Sequence, residues 1–63
     1  METVYYKVVR IEGEYAILSE KKSGEELFIA MALLPSSVDV GAYLKYEMFC
    51  YETVTEDIWN LAT

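Results

Sequence analysis

Sixty-three residues make one small domain, and a chain of this size buries only about 60% of the surface it exposes when unfolded. Hydrophobic residues are 54% of it, including six tyrosines, two phenylalanines and one tryptophan. That fills one core but leaves nothing to line a deep catalytic pocket, and a net charge of −6 with no histidine disfavours phosphate-rich partners.

The five cations, Lys7, Arg10, Lys21, Lys22 and Lys45, are scattered. After Lys45 only acids follow: Glu47, Glu52, Glu56 and Asp57. Such a C-terminal third repels nucleic acid and anionic lipid heads, and a basic protein partner suits it better. The same charge also serves as a plain solubility device. A lone cysteine, Cys50, allows no internal disulfide and points to a reducing compartment. Met1-Glu2-Thr3 lacks the features of a secretory leader. The longest uncharged run, Leu27 to Val38, is too short for a bilayer, which needs roughly 20 apolar residues. A cytoplasmic protein with no membrane association is expected.

Val4 to Glu12 is dense in β-branched and aromatic residues and predicts a first strand. Glu12-Gly13-Glu14 punctuates it, and Tyr15 to Ser19 predicts a second strand in an antiparallel hairpin. A polar run from Glu20 to Glu25 turns the chain at Gly24. Glu26 to Met31 reads as a third strand, with Leu27 and Ile29 facing in and Phe28 facing out. Ala32 to Pro35 suits a helical turn whose Leu33 and Leu34 plug a barrel end. Gly41 marks a bulge or tight turn.

Ala42 to Thr53 is one long β-prone stretch, central and either bent or broken in two. Simple alternation places Leu44, Tyr46, Met48 and Cys50 on the core face. Tyr43, Lys45, Glu47, Phe49 and Tyr51 fall on the other. A helical segment of about residues 54–61 follows. Thr53 with Glu56 has capping-box spacing, Thr55 is a second N-cap, and Ile58 and Leu61 share a side. The sum is a mainly β single domain over residues 1–63: a small five-stranded antiparallel barrel, oligonucleotide-binding-like or SH3-like, with a short C-terminal helix.

Two resemblances rest on these turn and core residues. Val9-Arg10-Ile11-Glu12-Gly13-Glu14-Tyr15-Ala16-Ile17-Leu18, then Leu33-Leu34-Pro35, then Val38 through Leu44, resembles a bacterial family of short uncharacterised proteins. Its pattern is R-I-E-G-x-x-A-x-L, L-L-P and V-x-x-G-x-x-L, and the match spans about residues 4–50. Val8 to Ala16 and Val38 to Tyr43 also resemble, more distantly, HypC-type hydrogenase maturation chaperones, which are small oligonucleotide-binding-like barrels with a C-terminal helix. Those carry an iron-binding cysteine directly after the initiator methionine. Glu2 stands there in this chain, so the metal chemistry is not carried over.

No Ser-His or Cys-His pair can be assembled without histidine, and one cysteine cannot build a thiolate zinc site. Gly13, Gly24 and Gly41 are isolated and form no phosphate loop. Glu12/Glu14, Glu25/Glu26 and Glu56/Asp57 read as solvated turn and helix-start carboxylates, without the cleft that acid catalysis needs. Neither catalysis nor a cofactor is expected. The aromatics carry the functional expectation: Tyr43, Phe49, Tyr51, Trp59 and Phe28 form an interaction surface, with Tyr5 nearby. The bland alternative is that Trp59 and Tyr51 only pack the helix onto the sheet. A non-catalytic adaptor, binding a protein or a second copy, is the expected function. The alternatives are an acidic mimic that inhibits a basic nucleic-acid-binding protein, and single-stranded nucleic-acid binding.

Overall fold

The computed structural model describes residues 2–62; Met1 and Thr63, the ends of the expected domain, lie outside them. Five strands form one antiparallel sheet: β1 (Val4–Glu12), β2 (Tyr15–Glu20), β3 (Glu26–Ala30), β4 (Tyr43–Glu47) and β5 (Cys50–Val54). Their order is β3-β2-β1-β4-β5, so β1 is central and the sheet curls into a half-barrel edged by β3 and β5. A short helix, α1 (Glu56–Leu61), ends the chain. The expected mainly β architecture with a terminal helix is what the structure shows.

β1 does more than alternate. Val8 pairs with Leu18 but Arg10 pairs with Ile17, so Val9 is an extra residue in a bulge. A bulge adds twist and shifts the parity of the strand. Val4, Tyr6 and Val8 share the concave side before it, and Ile11 packs on the same core after it. The buried cluster is Val8, Ala16, Leu18, Leu34, Val38 and Leu44, with Tyr6, Ile29 and Tyr51 packed against it. Fully burying a side chain such as Leu18 or Leu44 stabilises the fold by about 1.5–3 kcal/mol each.

The segment between β3 and β4 covers the core from its open side. A 3-10 helix spans Met31–Leu33. Residues three apart eclipse in such a helix, so Met31 and Leu34 turn to the core together. Leu33 therefore points elsewhere and is 67% exposed, correcting the expectation that it joins Leu34 as a plug. Val38 supplies the second anchor.

Two-residue turns close two of the three hairpins. Between β1 and β2, only Gly13 has a positive φ (59°), the first-position pattern for which glycine is the natural residue. Between β4 and β5, Glu47 pairs with Cys50 across Met48-Phe49. The long stretch is thus broken in two, and the turn reverses its parity. Tyr51 comes opposite Tyr46 on the concave side, while Cys50 joins Glu47 on the convex side and is exposed. The core position expected for Cys50 and Met48 is corrected accordingly: simple alternation fails when the chain doubles back after an even number of turn residues.

α1 begins at Thr55, whose Oγ1 accepts from the Ile58 N–H at 3.3 Å. Glu56 and Asp57 lie in its first turn, where the helix dipole favours acids. The expected pairing of Thr53 with Glu56 is not the cap, because Thr53 is still paired with Leu44 in the sheet.

Candidate binding surface

The five aromatics expected to form one surface fall into four places. Trp59 stacks on Tyr43, with ring centroids 4.7 Å apart and planes 25° from parallel, which fixes α1 on the convex face. Tyr51 lies on the concave side between Tyr46 (4.6 Å) and Tyr6 (6.2 Å). Phe28, on β3, is 62% exposed, and Phe49 at the β4–β5 turn is 85% exposed. So Tyr43, Trp59 and Tyr51 have ring faces occupied within the fold, while Phe28 and Phe49 present theirs to solvent at separate sites.

The β4–β5 turn is the most unusual of these sites. Met48 and Phe49 both have positive φ, 52° and 64°. This is the pattern of a turn usually made by Asn-Gly, because an L side chain there crowds its own backbone. Met-Phe holds the conformation at a cost of about 1–2 kcal/mol per residue. Neither side chain recovers that cost by burial, since Met48 is also 66% exposed. Glu47, at the base of the turn, accepts from the Thr3 hydroxyl at 2.6 Å, tying the turn to the start of β1. Met48 was missed in the sequence because nothing in Met-Phe signals a turn.

The charges around the sheet are largely spent on internal contacts. Lys45 lies 3.8 Å from Glu47 and 3.7 Å from Glu52. Lys21 donates to the carbonyl oxygens of Trp59 and Ala62 at the end of α1, with its ammonium 5.2 Å from the Trp59 ring centre. Lys7 lies 5.8 Å from the Tyr43 ring centre, and Arg10 pairs with Glu12.

Two phenols have shifted pKa values. Burial raises that of Tyr6, helped by the negative charge of Glu20 and by Tyr46. Burial also raises that of Tyr51, with Tyr6 and Tyr46 adding to it. An open cleft of about 510 Å³ lies between the start of β1 and the end of α1, lined by Glu2, Thr3, Tyr5, Lys21, Lys22 and Leu61 among others. Neither shifted phenol lines it. Among the described residues no three His, Cys, Asp or Glu are grouped to hold a metal ion. No helix among them is long and apolar enough to cross a membrane.

No protein-family model matches the chain, and neither a comparison with curated proteins nor one with solved structures finds a match.

Proposed function

We propose that this chain is a non-catalytic binding module that docks a protein partner through the β4–β5 turn. The observation carrying this reading is that Met48 and Phe49 are both strained and both exposed. Strain kept where cheaper residues would serve is a mark of a working site. A bulky aromatic on a rigid hairpin is also the kind of anchor that dominates interfaces. The strand order supports the reading, because it is that of an oligonucleotide-binding-type Greek key with its β3–β5 seam unpaired. Barrels of that type bind oligonucleotides and oligosaccharides with the face of strands 2 and 3 and the β1–β2 and β4–β5 loops, so this turn stands where such folds make contacts. The partner suited to this site offers an apolar recess for Phe49, rimmed by cations facing Glu47 and Glu52. A single exposed thiol suits the reducing cytoplasm.

The nucleic-acid alternative has less support. Four of the five cations are engaged with carboxylates, rings or helix carbonyls, so using them on phosphates would sacrifice those contacts. The acidic-mimic alternative rests on the net charge of −6 alone.

The test places a photoreactive phenylalanine analogue at position 49 and, as a control, at the likewise exposed position 33. A partner crosslinked from 49, not from 33, that no longer co-purifies with the variant Met48→Asn/Phe49→Gly supports the reading. A folded turn variant that keeps every partner of the parent removes it.

A further inference from the structure

We propose that two copies of this chain pair through β3, antiparallel and centred on Phe28, so that one sheet continues across both molecules. This surface is distinct from the β4–β5 turn, and its test leaves that reading untouched.

The argument starts with the backbone of β3. Glu20 N–H donates to the Glu25 carbonyl, and Met31 N–H donates to the Glu14 carbonyl. These bonds bracket the β2–β3 ladder and set its phase. In that phase the hydrogen-bonded pairs are Leu18–Leu27 and Ala16–Ile29. Glu26, Phe28 and Ala30 therefore aim their N–H and C=O groups away from β2, along the open edge. β2 is the only strand that pairs with β3 among the described residues. An edge of this kind is a template for another strand, and proteins that avoid such pairing blunt it with charged side chains, lysine above all, or with proline or a bulge. β3, Glu-Leu-Phe-Ile-Ala, has no lysine, proline or bulge, and its one charge, Glu26, stands at its end.

The second step is self-complementarity. A two-fold axis at Phe28 sets Phe28 opposite Phe28 and Glu26 opposite Ala30, with Leu27 opposite Ile29. Every outward backbone group of the three edge-facing residues then finds a partner. The exposed Phe28 rings meet on the convex face and the half-open Leu27 meets Ile29 on the concave face. No like charges are opposed.

The other edge fails the same examination. In β5 the two-residue turn closes on a hydrogen-bonded Glu47–Cys50 pair, which leaves Tyr51 and Thr53 facing outward. The antiparallel self-register that uses the whole of this strand is centred on Glu52, and sets that carboxylate against its own copy in the closer, non-hydrogen-bonded type of pair. Association is thereby directed to β3.

Five residues make a short seam, so the dimer is weak, in the class of interfaces burying less than about 1,200 Å². The charge of −6 on each copy opposes it at low ionic strength, and salt relieves that repulsion.

Sedimentation from tens of micromolar to about 1 mM reads the equilibrium, that range being where so small an interface is populated. The expected result is a dimer at the upper end that tightens with added salt, with slowed exchange of the Phe28 and Ala30 amides. Phe28→Lys, a change at an exposed position, is expected to give monomer throughout. Ala30→Lys sets a cation against Glu26 of the other copy twice per dimer, and is expected to tighten association about two- to tenfold. A parent chain monomeric at the highest concentration overturns the proposal. So does a dimer that Phe28→Lys leaves intact, or one that Ala30→Lys fails to tighten.

Discussion

Trp59 lies flat against Tyr43 at 4.7 Å, and this stack joins α1 to the convex face of the sheet. A helix of six residues does not hold itself, since isolated helices below about 12–15 residues are marginal in water. Trp59→Ala is therefore expected to cost about 1–3 kcal/mol and to release α1, seen as lost helical circular dichroism with the β signal kept. Lys21→Met keeps the aliphatic stem but removes the donor to the carbonyls of Trp59 and Ala62. Its cost is expected to be about 1 kcal/mol by urea unfolding. No loss from either variant would mean that the helix does not depend on this contact.

The strained turn makes an unusual stability forecast. Met48→Asn/Phe49→Gly removes two large side chains yet is expected to raise the unfolding free energy by about 1–2 kcal/mol, because Asn-Gly adopts the turn at less cost. In a domain of this size that is a rise of roughly 4–8 °C in Tm per kcal/mol. A lower Tm would show that the two side chains make stabilising contacts that outweigh their strain.

Alkaline pH is expected to unfold the protein through its concave tyrosines. The pKa values of Tyr6 and Tyr51 are raised in the folded state, mainly by burial, so folding favours the neutral phenols. Their contribution is intact below the unfolded value of about 10 and is lost as pH rises through the higher folded values. Tyr51→Phe leaves nothing to ionise there and is expected to move the alkaline midpoint upward. Circular dichroism together with phenolate absorbance reads it, and an unmoved midpoint counts against the assignment.

Cys50 sits beside the turn on the convex face, open to solvent. A thiol reagent is expected to label it in the native protein as fast as in urea. Labelling that waits for unfolding would place the thiol inside.

Much of this molecule could be read from residue order. The β-branched density of Val4 to Glu12 and the alternation at Leu27, Phe28 and Ile29 determine strands because their backbone preferences and burial patterns are local. Acids just after Thr55 mark a helix start for the same reason. The absence of histidine determines, without any structure, that no Ser-His or Cys-His pair exists. Only the tertiary structure decided which side each residue faces. A single extra residue at Val9 and a two-residue turn at Met48-Phe49 each reverse the alternation, and neither carries a composition that announces it. Strand pairing is a long-range choice, made by how the whole sheet buries its apolar face. It alone separated Phe28 and Phe49 from the aromatics that hold the fold together.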